Sequence, residues 1–387
     1  MRILMISDVY FPRINGVSTS IQTFYKELTG LGHEVTLVAP AYGTDDGTHD
    51  WIYRIPSRSL PLDPEDRLMK RGYIGELHGT LKRSNYDIIH IQTPFVAHYA
   101  GVDLARRLNL PRVETYHTHF EEYFYHYLPW LPRSFMRFSA RWFNRKQCND
   151  VDGLIVPSRA MLEVLREYGI NRPMEIIATG IDEKFFEPGD GAGFRAEHGI
   201  AQQRPVLVHV GRIAHEKNID FLLHTLDVLR RRIPDILLII AGEGPAEKHL
   251  RDLTSTLKLD NNVRFIGYLD RTSRLLDCYR AGDVFVFGSK TETQGLVLLE
   301  AMAQGVPLVS IAALGTTDIL NAGRGALVAE ECPEDFAGKV AQVLLNPGLR
   351  KLLSEDAREH ARTWSAEEFA LKTIGFYERA IHNYRLN

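Results

Sequence analysis

Short apolar runs alternate with longer stretches of helical periodicity along almost the whole chain. Such runs predict buried strands, and the periodic stretches between them predict crossover helices. In the first half the predicted strands are Ile3–Ser7, Glu34–Ala39, Ile88–Gln92, Arg112–Tyr116 and Gly153–Pro157. In the second half they are Val206–Val210, Leu237–Ala241, Val263–Ile266, Val284–Phe287 and Pro307–Ser310. Each set predicts one doubly wound, Rossmann-like parallel sheet, so the fold class is α/β.

The two predicted sheets are separated by a segment rich in glycine and proline, Thr179–Gly193. This composition is typical of a linker, which we place at residues 181–193. An N-terminal domain then occupies residues 1–180 and a C-terminal domain residues 194–365, and we expect an amphipathic helix at 366–387 to pack back toward the first domain. Ligands of doubly wound sheets bind at the carboxyl ends of the strands, so the pattern predicts a site in a central cleft that both domains face.

Composition narrows the class of protein. The chain has 387 residues, of which 44% are hydrophobic and 25% charged, and its net charge is −3. These values are typical of a globular protein and give no basis for nucleic-acid binding. The apolar run in Met1–Asp8 is too short for a signal peptide, the three cysteines are far apart, and no apolar stretch approaches the ~20 residues of a membrane span. We therefore expect a cytoplasmic protein whose contact with any membrane is peripheral.

The most informative segment for chemistry is Ser289–Pro307, which follows the predicted strand Val284–Phe287. Gly295 permits a close turn, and a helix is predicted from about Leu296. The backbone at Gln294, Gly295 and Leu296 then forms an anion site suited to a diphosphate. Two carboxylates, Glu292 and Glu300, lie eight residues apart on either side of this turn. The alternative interpretation is a buried helix that carries two incidental carboxylates.

This segment resembles the E-x7-E motif of family 4 of the retaining glycosyltransferases, which have the GT-B fold. The resemblance extends over essentially the whole chain, through Asn15–Val17, Val156–Ser158, Thr179–Asp182, Val210–Ile213 with Glu216 and Lys217, and Ala241–Gly244. It implies that the substrate is a nucleotide sugar and that no cofactor or metal is tightly bound.

The resemblance also implies a role for each matching residue. Gly16 lets the first loop approach the donor diphosphate, and His117 contacts the donor sugar near the reacting carbon. Arg212 and Lys217 bind the diphosphate. Glu292 binds sugar hydroxyls, and Glu300 binds the ribose of the nucleotide. Fixed cations suit this chemistry independently of the resemblance, because negative charge develops on the departing diphosphate.

Three short segments resemble the branch of the family that glycosylates diacylglycerol. They are Lys217-Asn218, Ala313–Asp318 and Thr291–Gly295. The resemblance implies a hexosyltransferase that moves glucose from UDP-glucose to a membrane lipid such as diacylglycerol. Two alternatives stay open within the same class: a soluble or polysaccharide acceptor, and a mannosyltransferase that uses GDP-mannose.

Two other enzyme classes are compatible with parts of the sequence. His117 and His119 could begin a zinc site in a hydrolase, but the later strand ends offer no matching set of His or Asp ligands. Asp150 and Asp152 resemble the metal-binding Asp-x-Asp of the other glycosyltransferase fold, but they directly precede the predicted strand Gly153–Pro157, which favours a solvated turn. An oxidoreductase should show G-x-G-x-x-G after its first strand, whereas the first loop contains only Gly16. We therefore expect no metal and no dinucleotide.

A predicted helix within Leu131–Asn144 is unusual for a cytosolic surface. Arginine recurs at every fourth position and aromatic residues fill the adjoining arc, a pattern that suits a helix lying on an anionic membrane. We assign His119, Arg133, Arg137, Arg141 and Trp142 to the acceptor or membrane side. This predicts peripheral binding to the inner face of the cell membrane. The alternative is an ordinary amphipathic helix with its aromatic residues in the core.

Overall fold

The computed structural model describes residues 1–43, 49–59, 67–117, 133–271 and 273–386, and for residues 133–138 and 140 it describes the backbone. Within this part the chain divides into two units. Unit 1 contains Met1–Gly180 together with the C-terminal helix, and unit 2 contains Ile181–Ser365.

Unit 1 is built on a seven-stranded parallel sheet in the order β3-β2-β1-β6-β7-β8-β9, beside a separate antiparallel pair β4-β5. The strands are β1 (Arg2–Ile6), β2 (Glu34–Pro40), β3 (Ile52–Ile55), β4 (Ser57–Ser59), β5 (Arg67–Met69), β6 (Ile88–Ile91), β7 (Arg112–Thr115), β8 (Gly153–Val156) and β9 (Met174–Ile176). All five strands that the sequence predicted occur. The edge strands β3 and β9 were missed because they are short and mostly half-buried, so they lack a continuous apolar run.

The helices of unit 1 cover both faces of this sheet. They are α1 (Gly16–Gly30), α2 (Arg71–Glu76), α3 (His78–Arg83), α4 (Val96–Leu108), α5 (Arg133–Asn149) and α6 (Arg159–Glu167). The first begins where the sequence motif Asn15–Val17 predicts a loop, because the side chain of Asn15 caps the helix by accepting from the amide of Ser18 at 2.9 Å.

Unit 2 contains a six-stranded parallel sheet in the order β12-β11-β10-β13-β14-β15. Its strands are β10 (Val206–Val210), β11 (Leu237–Ala241), β12 (Val263–Gly267), β13 (Val284–Phe287), β14 (Leu308–Ile311) and β15 (Ala326–Ala329). Its helices are α7 (Gly191–Glu197), α8 (Ile219–Leu229), α9 (Glu247–Thr256), α10 (Arg274–Ala281), α11 (Leu296–Ala303), α12 (Thr316–Leu320), α13 (Pro333–Leu345) and α14 (Pro347–Arg362). The central strands are fully buried, which is why their sequences are continuous apolar runs.

The segment 181–193 that we expected to be a linker is instead folded into unit 2. It contains a 3-10 helix at Glu183–Phe186 and the start of α7. Its glycines serve close packing: a Cβ at Gly189 would lie 2.4 Å from the carbonyl oxygen of Leu276, and one at Gly191 would lie 2.3 Å from that of Arg280. The glycine content therefore reflects contact with α10, and the linker prediction was wrong.

The C-terminal helix α15 (Ala366–Leu386) packs on the sheet of unit 1. The ring of Phe376 lies so close to Gly153 that a Cβ there would approach it to 2.7 Å. The hydroxyl of Tyr377 bonds the Nδ1 of the buried His90 at 2.5 Å. These contacts attach the last helix of the chain to strands β6 and β8. None of the described helices is both long enough and apolar enough to cross a membrane.

Candidate active site

The segment Ser289–Pro307 follows β13 and forms a loop, a glycine turn and the helix α11, as its sequence predicted. Gly295 immediately precedes α11 with a φ of +98°, which side chains with a Cβ rarely adopt. A Cβ at this position would also approach Thr316 Cγ2 to 3.0 Å. Gln294 is buried beside it. The turn therefore brings the first amides of α11 to the carboxyl end of β13, where they can bind an anion.

Glu292 and Lys217 form an ion pair at this edge of the sheet. Lys217 Nζ donates to Glu292 Oε1 at 2.6 Å, and Ser289 Oγ donates to the same oxygen at 2.9 Å. Burial acts to raise the pKa of Glu292, but Lys217 and the two hydrogen bonds outweigh it and hold that pKa below its ordinary value. The carboxylate is therefore ionised at neutral pH, and its second oxygen has none of these bonds.

Lys217 reaches this position through the loop that follows β10. The loop ends in a 3-10 turn at His215–Lys217, and Asn218 then takes a left-handed conformation with a φ of 56° before α8 begins. Arg212 lies in the same loop and is partly buried. The loop is held against the one after β11, because a Cβ at Gly242 would lie 1.9 Å from the carbonyl oxygen of Gly211. Gly244 packs in the same way, since a Cβ there would lie 2.3 Å from the carbonyl oxygen of Ile213.

Glu300 is enclosed by two residues that sequence reasoning missed. Glu300 is 1% exposed, and its carboxylate accepts from the guanidinium of Arg271 and from the hydroxyl of Tyr279 at 2.8 Å. Arg271 comes from the loop before α10 and Tyr279 from α10 itself. No pattern in the sequence marks either residue, since both lie more than twenty positions from Glu300 along the chain.

His209, near the end of β10, was also missed. Its side chain is fully buried, and its Nδ1 bonds the carbonyl oxygen of Val286 at 3.2 Å. Burial lowers the pKa of His209 to about 4, so the ring is neutral at pH 7. Its Nε2 has no hydrogen-bond partner among the described residues. The signal available in the sequence was a lone histidine inside an apolar strand, which more often marks a core position.

In unit 1, His117 follows β7 and Gly16 opens α1. His117 Nε2 bonds Gln92 Oε1 at 3.1 Å, and burial lowers the pKa of His117 to about 4. The ring is therefore uncharged at pH 7. Nothing lies within 4 Å of where a Cβ on Gly16 would be, so no described protein atom requires glycine there. His119 lies outside the described residues.

The residues assigned to the membrane side are described in part. The side chains of Arg133 and Arg137 lie outside the described set, whereas Arg141 and Trp142 are both exposed. Trp142 is 59% exposed and lies under the ammonium group of Lys146 at 5.6 Å from its ring centroid. The alternative that places Trp142 in the core is therefore wrong. Among the described residues no three His, Cys, Asp or Glu side chains are grouped as metal ligands would be.

Comparison with known families agrees with this architecture. The family model for glycosyl transferases group 1 matches residues 192–360, and the model for glycosyltransferase family 4 matches residues 14–185. The chain is 32% identical to an alpha-monoglucosyldiacylglycerol synthase of Streptococcus pneumoniae, over 98% of this chain and 86% of that protein. It is 29% identical to a GDP-mannose-dependent alpha-mannosyltransferase of Corynebacterium glutamicum, over 85% of this chain and 77% of that protein.

Solved structures show the same fold. Sucrose-phosphate synthase from Thermosynechococcus elongatus superposes with a TM-score of 0.80 at 20% identity, over 99% of both chains. A complex of Anabaena HepE with UDP-glucose superposes with a TM-score of 0.76 at 18% identity, over 97% of this chain and 99% of that one. The two Rossmann-like units are those of the GT-B fold, and the chain is a glycosyltransferase that belongs to family 4.

Proposed function

We propose that this glycosyltransferase transfers glucose from UDP-glucose to diacylglycerol, with retention of the anomeric configuration. The observation that carries the proposal is the pairing of Lys217 with Glu292 beside the amides that open α11. This arrangement places a cation, a carboxylate and an anion-binding helix terminus at one edge of the unit 2 sheet. The acceptor is proposed from the similarity to alpha-monoglucosyldiacylglycerol synthase.

Lys217 binds the departing diphosphate and orients Glu292 at the same time. An ammonium group has three N–H donors, and only one is used by Glu292, so the others can bind phosphate oxygens. Together with Arg212 and the amides of Gln294 and Leu296, they stabilise the negative charge that develops when the bond between the sugar carbon and the phosphate breaks. A donor of this kind lowers the activation free energy of the transfer by roughly 3–4 kcal/mol.

Glu292 binds the sugar through the oxygen that Lys217 and Ser289 leave available. With one oxygen fixed by two donors, the carboxylate has a defined orientation before the substrate arrives. His117 is neutral, so it binds a sugar hydroxyl by a hydrogen bond and does not act as a cation. Glu300 can still accept from the ribose diol, because two carboxylate oxygens offer about four lone-pair sites. Gly16 leaves open space for a phosphate to approach the start of α1.

The proposed lipid acceptor requires the enzyme to reach a membrane surface. Arg141 and Trp142 lie exposed on α5, which gives a cation and an aromatic ring on the same helix. Aromatic residues with adjacent cations are typical of helices that lie in the headgroup region of anionic bilayers. We therefore propose that the protein binds the inner face of the cell membrane peripherally through α5.

The test is product analysis with phosphatidylglycerol vesicles that contain diacylglycerol, using UDP-glucose, UDP-galactose and GDP-mannose in parallel. We expect a glucolipid from UDP-glucose, with an α-linkage in its NMR spectrum. Transfer only from GDP-mannose would instead support the second candidate, a mannosyltransferase, which the similarity to the Corynebacterium enzyme favours. Transfer only to a soluble sugar would refute the lipid acceptor.

A further inference from the structure

Gln92 and His117 lie side by side at the carboxyl ends of two neighbouring strands of unit 1. Gln92 follows β6 directly, and His117 comes two residues after β7. In the sheet, β6 lies between β1 and β7, at the point where the strand order reverses. Ligands of doubly wound sheets bind at that point, so a buried polar side chain such as Gln92 is a candidate for a role in the site.

The contact between these two side chains determines which nitrogen of His117 carries the proton. An amide oxygen can only accept, so the Nε2 of His117, 3.1 Å from Gln92 Oε1, must donate. Burial lowers the pKa of His117 to about 4, so at neutral pH the ring carries a single ring-nitrogen proton. That proton is therefore on Nε2, and Nδ1 is an acceptor. An imidazole in this tautomer can accept a hydrogen bond from a sugar hydroxyl through Nδ1.

A second buried histidine fixes the same two strands one step earlier. The Nδ1 of His90 bonds the hydroxyl of Tyr377 on α15 at 2.5 Å, and its Nε2 bonds Thr115 Oγ1 at 2.6 Å. His90 lies two residues before Gln92, and Thr115 lies two residues before His117, so side-chain alternation places both pairs on one face of the sheet. Because both nitrogens of His90 are bonded, Gln92 and His117 extend from strand ends that are held in place.

The amide nitrogen of Gln92 has no hydrogen-bond partner among the residues that the structure describes. Gln92 is only 1% exposed, and a buried polar group without a partner destabilises a fold, whereas an apolar side chain of the same size would not. The packing of unit 1 by itself would therefore favour methionine or leucine at this position. A polar residue kept at a cost to folding is typical of functional sites, and the bond to His117 is the contact that requires the amide.

We infer that Gln92 is a positioning residue for the transfer: it holds the ring of His117 in one orientation and in the Nε2–H tautomer, so that Nδ1 accepts from a hydroxyl of the donor sugar. This inference rests on the proposed function, which gives His117 its contact with the sugar. Without Gln92 the ring of His117 is free to turn over and to exchange tautomers. A misplaced contact of this kind lowers the rate of an enzyme by up to about 100-fold.

The tautomer of His117 is measured by NMR on the full-length protein labelled with nitrogen-15 in its histidines, with His117→Ala identifying the signals. At pH 7 we expect the Nε2–H tautomer in the wild type and a mixture of both tautomers in Gln92→Met, whose side chain has a similar size but no amide oxygen. The matched control is Gln147→Met, because Gln147 is also buried but bonds the carbonyl oxygen of Pro94, and it should leave the tautomer unchanged. An Nδ1–H tautomer in the wild type would overturn the inference.

The consequence for catalysis is measured as transfer from UDP-glucose to short-chain diacylglycerol in detergent micelles. Gln92→Met should lower kcat by about 10- to 100-fold relative to Gln147→Met. Its affinity for UDP, measured by calorimetry, should stay within about twofold of the control, because UDP lacks the sugar that His117 binds. A kcat equal to that of the control would show that the amide of Gln92 has no role in the transfer. Circular dichroism verifies that each variant is folded; if Gln92→Met is not, the wild-type spectrum and the next variant decide.

Gln92→Glu is the conservative variant, because a carboxylate still accepts from Nε2 of His117. Its charge favours the imidazolium and so raises the pKa of His117, which keeps the ring charged up to a higher pH. The acid limb of the pH profile of kcat/KM should therefore move upward by about 1–3 pH units, with kcat above it close to the wild-type value, whereas Gln92→Met stays low at every pH. Gln22→Glu, which adds the same charge at an exposed position of α1, is the control. A profile of Gln92→Glu that matches this control would contradict the inference.

The other buried titratable groups on the elements around His117 are the same in both variants; they include Asp8 after β1, His90 on β6, His98 on α4, Glu114 on β7 and Tyr377 on α15. A change of the pH profile confined to Gln92→Glu is therefore assigned to His117. Failure of the proposed function has a different result: the wild type forms no glucolipid from UDP-glucose. The NMR spectra need no substrate, so a single Nε2–H tautomer that is lost in Gln92→Met would support the positioning contact even then.

Discussion

The ion pair between Lys217 and Glu292 predicts that these two residues act as one unit. The sequence alone suggested that they serve opposite ends of the donor, in which case their losses should multiply. In the structure Nζ and Oε1 are 2.6 Å apart and the two side chains are 22% and 19% exposed, so solvent screens the pair only partly. A partly buried, hydrogen-bonded charge pair should show a coupling energy of about 2 kcal/mol.

The loss of kcat/KM in the double variant distinguishes independent action of the two residues from coupled action. Each single change to alanine should raise the barrier by about 3 kcal/mol, which lowers kcat/KM roughly 150-fold. Independent action predicts about 6 kcal/mol for the double variant, or a loss of roughly 20,000-fold. Coupled action predicts about 4 kcal/mol, or roughly 1,000-fold, because the second change removes an interaction that the first has already broken.

The assay is steady-state transfer from UDP-glucose with saturating lipid acceptor, for the wild type, both single variants and the double variant. Lys339 and Asp335 on α13 supply the control cycle, because they form a similar ion pair at 2.8 Å with 30% and 34% exposure. All three control variants should retain kcat/KM within about twofold. A double variant of Lys217 and Glu292 whose loss equals the product of the single losses would refute the coupling. A single variant with wild-type turnover would remove that residue from the site.

Three further predictions follow from the same structure. Replacing Arg133, Arg137 and Arg141 together by Gln should release the protein from phosphatidylglycerol vesicles in a salt-dependent manner. Trp142→Ser should weaken vesicle binding with little change in Tm, because the side chain is exposed. A large fall in Tm would mean that Trp142 stabilises the core. Chelators should leave transfer intact, and loss of activity that zinc restores would support a metal site. The folded-state pKa of His209 is depressed to about 4, so its contribution to stability is present above the unfolded pKa of about 6.5 and declines as pH falls toward 4. Urea unfolding between pH 4.5 and 7 should therefore show less pH dependence for His209→Phe, by up to about 1.4 kcal/mol per pH unit, and unchanged slopes would contradict the buried neutral ring.

The backbone of the candidate site was predictable because its signals are local. A strand that ends in a short loop, a glycine that must take a positive φ, and a helix that starts at the next residue all depend on neighbours within about ten positions. Gly295 and the start of α11 at Leu296 were predicted for that reason. The central strands were predictable as well, since strands buried on both faces are continuous apolar runs.

Glycine content misled the sequence interpretation where its cause was packing. In the segment 181–193 the lack of a Cβ at Gly189 and Gly191 lets the backbone lie directly against α10. The same composition is typical of flexible linkers, and no local pattern separates the two causes. The exposure of Trp142 was ambiguous for a similar reason, because helical periodicity shows which residues share a face but not what that face contacts.

The sequence by itself determined the two parallel sheets, the glycine turn before α11 and the residue types suited to a nucleotide-sugar donor. Only the tertiary structure decided which of those residues meet. Lys217 and Glu292 are 75 residues apart, and they pair because β10 lies beside β13 in the sheet order. The enclosure of Glu300 by Arg271 and Tyr279 likewise depends on how α10 packs against α11. Hydrophobic periodicity records whether a residue is buried, but strand order and register determine its neighbours, and these are properties of the whole fold.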